Sequence, residues 1–222
     1  MFASLKRWIR AGRDKVDQGD VLAEWARSEG HAFKRVKDRT GGGYVVEAGE
    51  GWRIEWGVSQ RPYVIGKELR FRCDTGLPPD VQMVMLTRVL AQTLESDVFS
   101  RFTNAMQTQI DNTLPDEMRW LAMHPKVSLQ QSALLGKRFV LLSNAEAVAK
   151  GWLDLGLQPV LEEAASHWWT DSLVFVVTLN RGILTARMAG QPLQPSQLRL
   201  VSQLFAKMAT AARTLAKTVQ AA

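Results

Sequence analysis

The sequence predicts an α+β protein, antiparallel sheet with long amphipathic helices, in an order that suggests two similar halves. Three observations carry this reading. Apolar and charged side chains alternate sharply at Trp52, Ile54 and Trp56 against Arg53 and Glu55, and at Leu69, Phe71 and Cys73 against Glu68, Arg70 and Arg72. Such alternation marks antiparallel strands with one buried and one wet face. Strands also come in groups rather than alternating singly with helices, and each group is followed by a Pro-led stretch with helical apolar spacing.

Taken in order, Phe2, Leu5, Trp8, Ile9, Gly12 and Val16 fall near one helical face, with Lys6, Arg7, Arg10 and Arg13 elsewhere. A short helix is expected over Val21–Glu29, capped by Asp20 and stopped by Gly30. Strands occupy Ala32 to Asp74, with turns at Gly41-Gly42-Gly43, Gly49-Glu50-Gly51 and Arg61-Pro62. After Pro78-Pro79 a helix from about Asp80 to Gln107 is expected, since Leu86, Leu90, Leu94, Val98 and Phe102 recur at every fourth position. Pro115 opens a shorter helix, Asp116 to His124.

Phe139 to Leu142 is continuously apolar and reads as a strand, and Ser143 with Glu146 has the spacing of a capping box for the next helix. Gly156 ends that helix, and Pro159 opens another through His167. Strands Leu173–Leu179 and Ile183–Met188 flank Asn180-Arg181-Gly182, a hairpin turn. The chain closes on a helix from Pro195 to about Val219, with Leu198, Val201, Phe205, Met208, Ala212, Leu215 and Val219 as its stripe. This divides the chain into a basic N-terminal helix over residues 1–19, an α+β half over 20–125 and a second over 126–222, the two halves forming one compact domain or two.

The 222 residues are 46% hydrophobic and 23% charged, the composition of a soluble globular chain. At this length folding removes about 70% of the unfolded surface from water, so no disulfide or metal staple is required. The single cysteine, Cys73, precludes an internal disulfide and a cysteine zinc cluster, and its place on the Leu69/Phe71 face makes it a small buried hydrophobe. Charges interrupt the apolar residues near the N-terminus, and no stretch has the 18 or so apolar residues of a membrane span. A cytoplasmic setting is the expectation.

The formal charge is +6, from 28 Lys and Arg against 22 Asp and Glu. No acidic residue follows Asp171, whereas Arg181, Arg187, Arg199, Lys207, Arg213 and Lys217 do. Met1 to Val16 carries a net +4, so both ends are basic and the middle is mildly acidic. That asymmetry suits an anionic partner, or packing of the ends on the middle.

Sites of chemistry are not apparent. His31, His124 and His167 stand apart from any nucleophile elbow, and no His-Glu-x-x-His, Cys-x-x-Cys or calcium loop occurs. His124, at a helix end, is placed to meet the helix dipole as an imidazolium. His167-Trp168-Trp169 reads as an aromatic anchor under the next strand. Gly136-Lys137 lacks the rest of a phosphate loop. Asp116 and Glu117 have a sufficient role in stabilising the first turn of a helix. The strand charges read as a solvated face that can also bind a partner.

No catalytic, metal or cofactor residue is therefore assigned, and the expected function is non-enzymatic: a cytoplasmic protein–protein interaction or assembly module, acting on a protein partner or by self-association. The candidate partner-binding residues are Phe2, Lys6, Arg7, Trp8, Arg10, Arg13, Arg199, Lys207 and Arg213. Alternatives are an anionic membrane surface or nucleic acid engaged by the same basic ends, and an enzyme whose site is scattered through the sequence.

Overall fold

Alternation in the sequence is matched by pairing in space: every strand among the described residues joins one eight-stranded antiparallel sheet. The computed structural model describes residues 18–36, 42–49, 51–105, 114–129, 131–189 and 192–221. Phe2, Lys6, Arg7, Trp8, Arg10 and Arg13, with the predicted N-terminal helix, lie outside them. The elements are α1 (Gln18–Ser28), β1 (Ala32–Val36), β2 (Gly43–Ala48), β3 (Trp52–Val58), β4 (Lys67–Asp74), β5 (Met83–Thr87), α2 (Arg88–Ala105), α3 (Asp116–Met123), α4 (Ala133–Arg138), β6 (Phe139–Ser143), α5 (Glu146–Asp154), α6 (Leu157–His167), β7 (Phe175–Asn180), β8 (Ile183–Ala189) and α7 (Pro195–Ala221).

The strand order is β1-β2-β3-β4-β8-β7-β5-β6. The strands on either side of residue 125 thus interleave: β4 pairs with β8, and β5 lies between β7 and β6. An α+β fold with one antiparallel sheet flanked by helices is the architecture.

Several expectations change. α1 begins at Gln18, so Asp20 lies in its first turn rather than at its cap, and α6 begins at Leu157, two residues before Pro159. The helix predicted from Asp80 begins only at Arg88, because Met83–Thr87 is β5, buried at all five positions. Met83 and Met85 point into one core while Val84 and Leu86 point into the other, so a strand covered on both faces shows no polar alternation. Leu86 only imitates the helical spacing. The Thr87 hydroxyl accepts the Leu90 amide at 3.3 Å and marks where the helix starts. The capping box at Ser143 and Glu146 is likewise absent. Ser143 closes β6, its hydroxyl donates to the Gln82 carbonyl at 2.8 Å, and Ala145 is the residue ahead of α5.

The larger core lies on one face of the sheet. It takes in Trp25 of α1, Trp152 of α5, Leu161 of α6 and the α7 stripe Leu198, Val201, Phe205, Met208 and Ala212. Trp152 Nε1 donates to the Met208 carbonyl at 3.0 Å and joins α5 to α7. Trp169 packs on Phe139 and Phe175 with ring centroids 4.5 and 4.4 Å away, the aromatic anchor expected there. Near the start of α1, Gly19 allows close approach: a Cβ there would lie 2.2 Å from the Tyr44 ring, itself stacked on Phe33 and Trp56.

On the opposite face a smaller core covers only part of the sheet. Ala91, Leu94 and Val98 of α2 and Met118 and Trp120 of α3 meet Val84, Leu86, Val140, Leu142 and Val176 of β5, β6 and β7. The rest of that face has a different character.

Candidate functional site

Register alone divides the outer face. One line across the sheet reads Lys34, Val45, Glu55, Arg70, Arg187, Val176, Leu86 and Val140. The next reads Ala32, Glu47, Arg53, Arg72, Thr185, Thr178, Val84 and Leu142. Each passes from mostly charged and polar residues on β1–β4 and β8, Ala32 and Val45 excepted, to apolar residues under α2 and α3. The candidate site lies where the two characters meet.

Three carboxylates organise it. Glu68, without solvent exposure, accepts from Arg187 Nη1 at 2.7 Å and from the Ser59 hydroxyl at 2.8 Å, and Arg70 Nε lies 3.3 Å from it. Glu55 is flanked by Arg53 at 2.7 Å, Arg70 at 3.2 Å and Arg72 at 3.7 Å. Glu117 is buried at the start of α3, where it accepts from Arg61 Nε at 2.6 Å and from the Tyr63 hydroxyl. Asp116 beside it accepts from Asn180 Nδ2 at 2.8 Å and pairs with Arg119, which ties α3 to the β7–β8 hairpin.

Burial and charge fix the protonation states. Burial, then the Glu117 charge, pushes the Tyr63 phenol well above its ordinary value, so Tyr63 stays a neutral donor. Burial also lowers Arg187, helped by the nearby Arg61 cation, while Glu68 and Glu117 pull the other way. Burial opposes the Arg61 cation too, but Glu117 and the surrounding anionic groups outweigh it and hold that guanidinium above its ordinary value.

Beside this network lies a cavity of about 210 Å³. Its lining includes four arginines, Arg61, Arg72, Arg181 and Arg187, and two acidic residues, Asp116 and Glu117. Arg181 and Gly182 form the tight hairpin turn, both with positive φ, 51° and 73°. Arg181 is the one non-glycine with positive φ among the described residues.

The described residues among those expected to bind a partner, Arg199, Lys207 and Arg213, do not gather at one site. Arg199 pairs with Glu29 at 3.1 Å and joins α7 to the end of α1. Arg213 donates from Nη2 to the Gly51 carbonyl at 2.7 Å and from Nε to the Asp74 carbonyl at 3.1 Å. Lys207 is exposed between them, and Arg199 and Arg213 stand about 21 Å apart along the helix. Arg187, which the sequence allowed on a basic surface patch, is instead held against Glu68.

The histidines have ordinary partners. His124 Nε2 lies 2.9 Å from Gln82 Oε1, and the ring stacks on Trp120. Burial lowers its pKa, which disfavours the imidazolium expected at that helix end. His167 Nδ1 lies 2.9 Å from the Glu163 carbonyl. Cys73 is buried, and burial raises its thiol pKa. Among the described residues no three His, Cys, Asp or Glu side chains gather as a metal site, and no helix is long and apolar enough to cross a membrane.

Sequence reasoning missed the Glu117–Arg61–Tyr63 and Glu68–Arg187 contacts. The available signal was the charge on two alternating strands; the partners are distant in the chain.

Neither a protein-family model nor a curated protein matches the chain. One similar solved structure is the mycobacterial trehalose monomycolate transport factor A, 11% identical over 90% of this chain and 96% of that one, with a TM-score of 0.49. At that level it transfers neither fold nor function.

Proposed function

We propose that the protein is a non-enzymatic interaction module of the cytoplasm whose docking surface is the uncovered, charged half of the outer sheet face. The observation that carries this is the division of one sheet face between a helix-covered apolar part and an open part bearing Lys34, Glu47, Arg53, Glu55 and Arg72. Helices cover the remainder, and a face left open with ordered charge suits a partner surface of complementary charge. Basic residues are in modest excess on and around it, which favours a protein partner with an acidic contact patch. The basic segment 1–16 is a second contact on the same reading, with Phe2 and Trp8 as anchors.

The test is affinity capture with the full chain and with a Lys34→Glu, Arg53→Glu variant, at low salt and about 0.5 M salt, where screening shortens the reach of charge to a few Å. A protein recovered by the wild-type chain and lost with the variant supports the reading. Recovery of nucleic acid or anionic lipid alone, abolished by salt, overturns it.

A further inference from the structure

The cavity between β4, β8, the β7–β8 hairpin and α3 is not neutral. Four arginines and two acidic residues line about 210 Å³, and Glu68, which pairs with Arg187, reduces the formal excess to one positive charge. Two of the arginines are largely unspent. Arg181 has no ion pair or hydrogen bond among the described residues, and the nearest carboxylate oxygen to Arg72, on Glu55, is 3.7 Å away. Arg72 also stands directly across from Arg53, a like-charge pairing that opposes folding. Thr185, its neighbour on β8, lines the same hollow, and its hydroxyl has no partner among the described residues.

The hairpin adds a second observation. A two-residue turn with positive φ at both positions favours Asn or Asp followed by Gly. Here an arginine occupies the first position, at φ 51°, and it is one of the residues lining the cavity. Arg181 is exposed, and a strained position filled by a long cation that no protein anion neutralises leaves that charge available to an anion from solution.

We infer that this cavity binds the dianionic phosphoryl group of a small phosphate monoester, held by Arg72 and Arg181 with the Thr185 hydroxyl. Donors converging from separate strands and a turn suit a tetrahedral group with three terminal oxygens, whereas a planar carboxylate is served by a single guanidinium fork. The volume of about 210 Å³ admits the phosphoryl group. The site shares Arg72 with the macromolecular surface proposed above, but Arg181 and Thr185 are not part of that surface and Lys34 and Arg53 do not line the cavity, so either reading can fail alone.

The experiment is a titration of the full chain with inorganic phosphate and with glycerol 2-phosphate at low salt, followed by calorimetry and phosphorus NMR. Saturable binding is expected, stronger at pH 7.5 than at about pH 5, because a phosphate monoester loses its second proton near pH 6. Arg181→Asn keeps a residue suited to the turn and should weaken binding about tenfold or more, as should Arg72→Gln. Lys150→Gln, on α5 at the far side of the sheet, should leave it unchanged. Absence of saturable binding, equal affinity in Arg181→Asn and wild type, or tighter binding of malonate than of phosphate overturns the assignment.

Discussion

Arg187 Nη1 donates to Glu68 Oε1 at 2.7 Å across 119 positions of sequence, and Glu68 has no solvent exposure. A buried carboxylate of this kind is stable only with its partners in place, because either charge left alone carries its full desolvation cost.

Glu68→Ala should therefore destabilise the fold by about 3–5 kcal/mol, the range for breaking a buried ion pair. Glu47→Ala removes the exposed Lys34–Glu47 pair and should cost less than about 1 kcal/mol. Urea unfolding of the two variants checks the contrast, and similar midpoints would refute it.

Tyr63 makes the fold sensitive to alkali. Its folded pKa lies above the unfolded value of 10.0, so the folded state holds the proton longer. The stabilisation is complete below about pH 10 and is lost as pH rises from there toward the folded pKa. Tyr63→Phe should flatten that decline. Melting temperatures between pH 8 and pH 11 are the measurement, and an identical slope in both proteins would count against it.

Gly19→Ala places a methyl carbon 2.2 Å from a Tyr44 ring atom, and stacking on Phe33 and Trp56 restrains that ring. Although alanine favours helices, the substitution should destabilise by about 1–3 kcal/mol through overpacking. Gly19→Ala combined with Tyr44→Leu should recover part of the loss in denaturant titrations.

Arg213 holds α7 to the sheet through the carbonyls of Gly51 and Asp74, while Lys207 is exposed. Arg213→Ala should cost about 1–3 kcal/mol, and Lys207→Ala less than about 0.5 kcal/mol. Chemical denaturation distinguishes them.

Local signals carried much of the architecture. Trp52, Ile54 and Trp56 announced their buried face because Arg53 and Glu55 intervened, and Arg181-Gly182 turns where the sequence placed a hairpin. β5 was illegible because burial on both faces removes the polar half of the pattern, and Ser143 misled because a capping spacing also arises at a strand end. The site was hidden for another reason. Glu117 had a complete local explanation in the first turn of α3, yet its partner Arg61 lies 56 positions earlier. No short-range pattern encodes a contact made by sheet register and loop placement.

The interleaved strand order has a consequence for biosynthesis. When the ribosome has delivered β1 to β5, β4 still lacks its neighbour β8, and β5 lacks both β6 and β7. The hairpin that fills the gap between them is among the last elements to emerge. Until then the nascent chain carries unpaired edges beside apolar residues, the condition that promotes aggregation and slows folding of non-local sheets. The β7–β8 hairpin acts as a keystone, and a chain released before residue 175 lacks the two strands that join β4 to β5.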